Sequence, residues 1–247
     1  MKTMVITGGS KGLGSAISEK FLQMGWRVFS GSRTSGDHDL NLHPEFHYHP
    51  TDVRSRESVR EFLKFSSGSQ GTIDCFINNS GFSEWKALEA IEEEFLRNML
   101  ETNLMGYFWG AQAAAMHLTP GGAILNISSL AARRGTPNNS AYVASKFGVA
   151  GLTQSLAKEL GPKEIRVNAV CPVLVNTPGL MDALGQPNSP ASNSPEDFLR
   201  EFAEKQTALG FLPLASDVAN LCFFLAGSDA RAITGQSISV DAGVFPN

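Results

Sequence analysis

Cysteine is scarce in this chain of 247 residues. There are three, Cys75, Cys171 and Cys222, and each sits in an apolar run. An odd number without framework spacing argues against a disulfide-stapled fold and points to buried, reduced thiols in a cytoplasmic setting. Metal-binding spacing is absent too, so no metal is expected. Positive charge is not in excess: 20 Lys and Arg stand against 24 Asp and Glu, a net −4. A general nucleic-acid binder would need a basic face, so that class is disfavoured. No apolar run approaches the ~20 residues of a membrane span. Met1-Lys2-Thr3 mimics the charged start of a signal peptide, but the apolar run behind it ends by Thr7, too soon for one. No Pro/Gly/Ser-rich linker splits the chain, which predicts one domain able to bury a sizeable core.

What is present begins with a short apolar strand, Met4 to Ile6, followed at once by Gly8. A helix is expected from near Gly12, with Leu13, Ile17, Phe21 and Met24 as its core stripe, and Trp26 to Ser30 reads as the next strand. Strand, Gly-rich turn, helix, strand is the unit of a nucleotide-binding sheet. Gly8, Gly12 and Gly14 leave room for backbone to approach a pyrophosphate, and the helix N-terminus offers free N–H groups to receive it. The second strand ends Ser30-Gly31-Ser32-Arg33, with no carboxylate to accept from a ribose 2′-hydroxyl. Arg33 can fork onto a 2′-phosphate, Ser32 can donate to it, and Lys11 adds a second cation. That charge pattern favours NADPH/NADP+ over NADH.

The stretch from Ser128 to Lys146 is the centre of the chain. The apolar strand Ala123 to Ile127 leads into a polar loop, and the loop feeds a helix, about Ser140 to Leu160, that carries Tyr142 and Lys146. Residues at i and i+4 share a helix face. A cation beside the phenol would lower its pKa and make it a usable proton donor and acceptor. Ser129, thirteen residues before the tyrosine, can hydrogen-bond a substrate oxygen. Taken alone, the Tyr/Lys pair reads as a half-buried aromatic and a solvated neighbour, since such pairs recur by chance.

Its company decides. Thr7-Gly8-Gly9-Ser10-Lys11-Gly12-Leu13-Gly14, Asn78-Asn79-Ser80-Gly81, Asn103, Ser129 and Tyr142-x-x-x-Lys146 stand in order, with Ile233-Thr234-Gly235-Gln236 and Val240-Asp241-Ala242-Gly243 near the end. The chain resembles the short-chain dehydrogenase/reductase family, of the single-domain type similar to 3-oxoacyl-[acyl-carrier-protein] reductases. The resemblance implies an α/β fold, a doubly wound parallel sheet (Rossmann-like) over residues 1–247, with a mobile substrate lid over about 178–212. It implies a catalytic set of Asn103, Ser129, Tyr142 and Lys146, with Asn103 holding a water of the proton path. At the cofactor it implies Gly8, Ser10, Lys11, Gly12, Leu13 and Gly14 of the turn, Ser32 and Arg33, then Asp52 and Val53. Asn79, Ser80 and Gly81 follow, then Tyr142, Lys146, Pro172, Val175 and Thr177.

Some of these positions keep a second reading. Asp52, assigned by the resemblance to the adenine amino group, could instead cap the helix that follows. Asn103 could be purely structural. Phe82, Glu84 and Trp85 could line the substrate pocket or simply pack. Ser80 replaces the family's usual Ala, and Val173 stands where Gly is usual after Pro172. His43, His47 and His49 alternate along one segment and read as surface histidines. Glu92 to Met116 reads as helix with a break near Asn98 to Glu101.

On the central helix, Val149, Leu152, Leu156 and Leu160 are expected in the core. Ala144, Gly148, Gly151 and Ser155 form a small-residue stripe that allows close helix packing. The resemblance implies a homo-oligomer, dimer or tetramer, through this helix. The expected activity is NADPH-dependent reduction of a ketone to a secondary alcohol, with Tyr142 as general acid and a small-molecule carbonyl or alcohol as substrate. A 3-oxoacyl thioester is one candidate, for which Arg133 and Arg134 could meet an acidic carrier. The alternative is a non-catalytic NADP(H)-binding regulatory protein on the same fold.

Overall fold

The computed structural model describes residues 1–36, 38–68, 72–191 and 194–246. Seven strands make one sheet: β1 (Thr3–Thr7), β2 (Arg27–Ser32), β3 (Phe46–Pro50), β4 (Ile73–Asn78), β5 (Leu118–Ile127), β6 (Arg166–Pro172) and β7 (Ser237–Val240). Their order is β3-β2-β1-β4-β5-β6-β7, and every neighbouring pair is parallel. The chain builds outward from β1 to one edge, then returns to build the other half from β4. The gap between β1 and β4 is therefore the switch point at which open α/β sheets bind ligands.

The helices are α1 (Gly12–Gln23), α2 (His38–Asn41), α3 (Arg56–Ser67), α4 (Glu93–Leu100), α5 (Gly106–Ala114), α6 (Ser140–Leu160), α7 (Pro178–Leu184), α8 (Pro195–Gln206) and α9 (Ala215–Ala226). Parallel strands must be covered on both faces, and period-two alternation divides the core accordingly. Met4 and Ile6 of β1 face α1 and α9, where Phe21, Trp26 and Phe223 meet edge to face. Val5 faces the opposite layer, with Phe62 of α3, Ala111 of α5 and Ala157 of α6. A smaller cluster of Trp85, Ala183, Leu184, Ala191 and Leu199 lies under the segment expected to be a lid. Residues 192 and 193 of that segment, and Asp37 between β2 and α2, lie outside the described residues.

Several expectations need correction. Met24 is exposed at the end of α1, and Leu22 is buried instead, because the chain turns back into β2 through Gly25. The helical break falls at a π-turn, Glu101–Met105, slightly later than predicted, and Asn103 sits inside it. The α6 face that meets the core runs through Ser145, Val149, Thr153 and Ala157, one step round from the expected stripe. Leu152 and Leu156 are only half-buried. Two polar residues can enter that face because their hydroxyls bond within the helix, Ser145 to the Tyr142 carbonyl and Thr153 to the Val149 carbonyl. His47 and His49 are half-buried rather than surface residues. They lie against Phe29, Phe62 and Phe65, and burial pushes the His47 imidazole below its ordinary pKa. His43 lies before β3 and is not on that strand.

Candidate active site and cofactor cleft

A cleft of about 1520 Å³ opens along the carboxyl ends of the strands. At one end lies the turn between β1 and α1. Gly8 adopts φ +68, and a Cβ there would press on the Ser80 hydroxyl at 2.9 Å. A Cβ on Gly14 would collide with the Gly8 carbonyl oxygen. The second strand–turn supports the first: Thr7 Oγ1 accepts from the Asn79 and Ser80 N–H groups at 3.0 and 3.2 Å, and Asn79 Nδ2 donates to the Gly8 carbonyl at 2.9 Å. Lys11 is the N-cap residue of α1 but offers no side-chain cap, so the first N–H groups of that helix face the cleft without a side-chain partner. A turn that only glycine fills, at a helix N-terminus, suits a pyrophosphate.

Around that turn, Ser10 and Ser32 pair their hydroxyls at 2.8 Å, and both line the cleft with Lys11 and Arg33. Tyr48 pins the end of β2 by donating to the Ser32 carbonyl at 3.0 Å. Asp52 lines the same end but does not cap α3. Ser55 does, accepting from the Ser58 N–H. Arg54 grips the Asp52 carboxylate at 2.6 Å, and this pairing holds that carboxyl below the ordinary carboxylate range. The sequence reading had no role for Arg54, although its i+2 spacing from Asp52 was visible.

Further along, Gly12, Leu13, Val53, Gly81, Pro172, Val175 and Thr177 also line the cleft. The Thr177 hydroxyl caps α7, accepting from the Leu180 N–H at 3.3 Å. Val173 donates its N–H to the Val240 carbonyl at 3.1 Å, and its side chain is accommodated at the cleft wall.

Ser129, Tyr142 and Lys146 meet at the middle of the cleft. Ser129 is in extended backbone just beyond β5, and its Oγ accepts from the Ala131 N–H at 3.1 Å. Burial pushes the Tyr142 phenol above its ordinary pKa, and the neighbouring Ser129 hydroxyl draws it partly back. The expected lowering by Lys146 is not found. The Lys146 Nζ lies 5.6 Å from the Tyr142 ring centre and bonds elsewhere, to Tyr107 Oη at 3.2 Å and the Ile127 carbonyl at 3.0 Å. Lys146 is 4% exposed, and burial pushes its ammonium down to about 8.

Asn103 is fully buried and does not reach the cleft with its side chain. Its amide clamps the Phe82 backbone, accepting at 3.0 Å and donating at 2.8 Å, with a further contact to Met99. Glu84 and Phe82 line the cleft. Trp85 lines it as well and also packs against α7 and α8. Arg133 is half-buried and donates from one guanidinium nitrogen to the Ser237 carbonyl of β7. Arg134 remains at the cleft wall. Among the described residues, no three His, Cys, Asp or Glu side chains gather as a metal site.

This geometry agrees with the comparisons. Residues 8–245 match the family model described as "Enoyl-(Acyl carrier protein) reductase". The chain belongs to the short-chain dehydrogenase/reductase family. It is 32% identical to a Staphylococcus aureus diacetyl reductase that forms (S)-acetoin, over 98% of this chain and 97% of that one. It is also 32% identical to an L-2,3-butanediol dehydrogenase of Corynebacterium glutamicum, over 100% and 99%. The ligand-free aldohexose dehydrogenase of Thermoplasma acidophilum superposes with a TM-score of 0.89 at 29% identity, covering 100% of this chain and 97% of that one. This family's oxidoreductases use a nicotinamide cofactor, and the relatives' names describe reactions between ketones and alcohols.

Proposed function

We propose that this chain is an NADPH-dependent reductase of a small ketone. The observation that carries the reading is that Ser129, Tyr142 and Lys146 converge on one cleft whose far end holds the glycine turn, Lys11 and Arg33. Bound in that cleft, the nicotinamide would supply the hydride. Ser129 then holds the carbonyl oxygen, and Tyr142 gives that oxygen its phenolic proton. Burial suits this role, because a phenol held protonated at neutral pH yields its proton only to a strong base such as the developing alkoxide. Lys146 would hold the cofactor ribose and, as its ammonium, would offset the phenolate left behind.

For the cofactor's flavour, the charge at the turn supports NADPH. The carboxylate described at that end, Asp52, is already gripped by Arg54, whereas Arg33 is exposed and available to a phosphate. For the substrate, the diacetyl and butanediol relatives favour a small ketone or diketone. Three buried free thiols suit a reducing, cytoplasmic setting.

We also propose a homo-oligomer. Phe108 and Met116 are exposed beside a groove of about 520 Å³, Phe147 is exposed on α6, and Ala144, Gly151 and Ser155 of its small-residue stripe are exposed, while Gly148 packs against Leu104. A monomeric mass by light scattering would remove that part.

Loss of NADPH absorbance tests the activity against diacetyl, an acetoacetyl thioester, β-keto esters and sugars. Turnover that vanishes in Tyr142→Phe while NADPH still binds supports the reading. Tight NADPH binding without turnover of any panel member would favour a regulatory protein instead.

A further inference from the structure

We propose that Tyr107 is a positioning residue whose buried hydroxyl seats the Lys146 ammonium beside Tyr142. The inference rests on the ketone-reductase reading for its kinetic consequence and on geometry for its substance. Tyr107 is the second residue of α5, directly after the π-turn. A plain helix would stack Asn103 and Tyr107, four apart, on one face. The π-turn inserts extra backbone between them, so the two polar side chains take different partners. Asn103 holds Phe82, and Tyr107 reaches under the end of β5 to donate to the Ile127 carbonyl at 2.6 Å.

That bond uses the only proton on the Tyr107 oxygen. Towards Lys146, 3.2 Å away, the oxygen can act only as acceptor. An ammonium carries three donors. Tyr107 and the Ile127 carbonyl take two of them from behind and leave one for the cleft that Lys146 lines. A buried cation without acceptors would neutralise or turn away. The Tyr107 ring also lies 4.9 Å from Nζ, a contact that phenylalanine would retain. The other titratable groups facing Lys146 are Tyr142 on its own helix and Cys171 on β6. Both are neutral near pH 7, since burial raises each pKa. Among the described residues no carboxylate pairs with Lys146, whose pKa burial pushes down to about 8, so the acceptors behind it matter.

Tyr107→Phe separates this role from mere packing. NMR of isotope-labelled lysine in the ligand-free chain follows the Lys146 titration, with Lys146→Met assigning its signal. The expected result is a Lys146 midpoint at lower pH in Tyr107→Phe, kcat down about tenfold, and an alkaline limb of kcat/KM displaced to lower pH with the midpoint. An unmoved midpoint and limb overturn the proposal, whatever happens to melting temperature or kcat. If the wild-type chain reduces no ketone, the functional reading falls by itself, and the NMR midpoint still decides the role of Tyr107.

Discussion

The Asn103 carboxamide and the Phe82 peptide close a two-point clamp, with the Phe82 N–H donating at 3.0 Å and its carbonyl accepting at 2.8 Å. The clamp ties the π-turn to the loop after β4, and that loop forms one wall of the cleft. A Cβ on Gly81 would sit 2.9 Å from the Asn103 side-chain oxygen, so the carboxamide already lies as close to that backbone as a glycine allows.

Asn103→Ala leaves both Phe82 groups without their partner. The expected cost is about 2–3 kcal/mol of stability, from two lost bonds at a buried site, read from the midpoint of denaturant unfolding. If Asn103 acts only through this clamp, Asn103→Ala should weaken substrate and cofactor binding as the cleft wall loosens, without moving the pH profile. A wild-type unfolding midpoint would show that the clamp contributes nothing.

Arg33→Ala should weaken NADPH by tenfold or more and leave NADH within a few-fold, since a charge-assisted bond to a 2′-phosphate is worth about 1.5–3 kcal/mol. Tryptophan fluorescence titration with each cofactor makes the comparison. Equal losses for both would remove the 2′-phosphate from the site.

Lys146 makes stability depend on pH in a definite direction. Its ordinary pKa is 10.5 and the fold lowers it to about 8. Below about 8 both folded and unfolded chains hold the proton, and the folded chain bears the full cost of a buried charge. Between about 8 and 10.5 the unfolded chain binds more protons, so this group makes stability rise with pH. Lys146→Met removes the term. The variant's stability relative to wild type should therefore be greatest below pH 8 and decline by about 3 kcal/mol towards pH 10.5. Unfolding curves of both proteins across that range check it. A pH-independent difference would mean that the ammonium is not desolvated.

The local pattern of the chain determined more than its elements. Gly8 directly after an apolar strand, Ser129 directly after another, and Tyr142 and Lys146 one helical turn apart are relations between near neighbours. Backbone sterics and helical period act over that range, so the opening strand–turn–helix–strand unit and its glycine turn were legible, while the doubly wound sheet as a whole followed from the family resemblance. The absence of a carboxylate at the end of β2 was legible for the same reason.

The tertiary structure alone decided which buried polar group meets which. Arg133 finds a carbonyl 104 residues away, Tyr107 one 20 residues on, and Asn103 a peptide 21 residues back. Lys146 consequently bonds to Tyr107 and Ile127, not to the phenol four residues before it. Periodicity states that a helix has faces, but the layer packed against it chooses the buried one, as the shifted face of α6 shows. A buried hydrogen bond needs a complementary group within about 3 Å, and for these residues that group is supplied by other strands and helices.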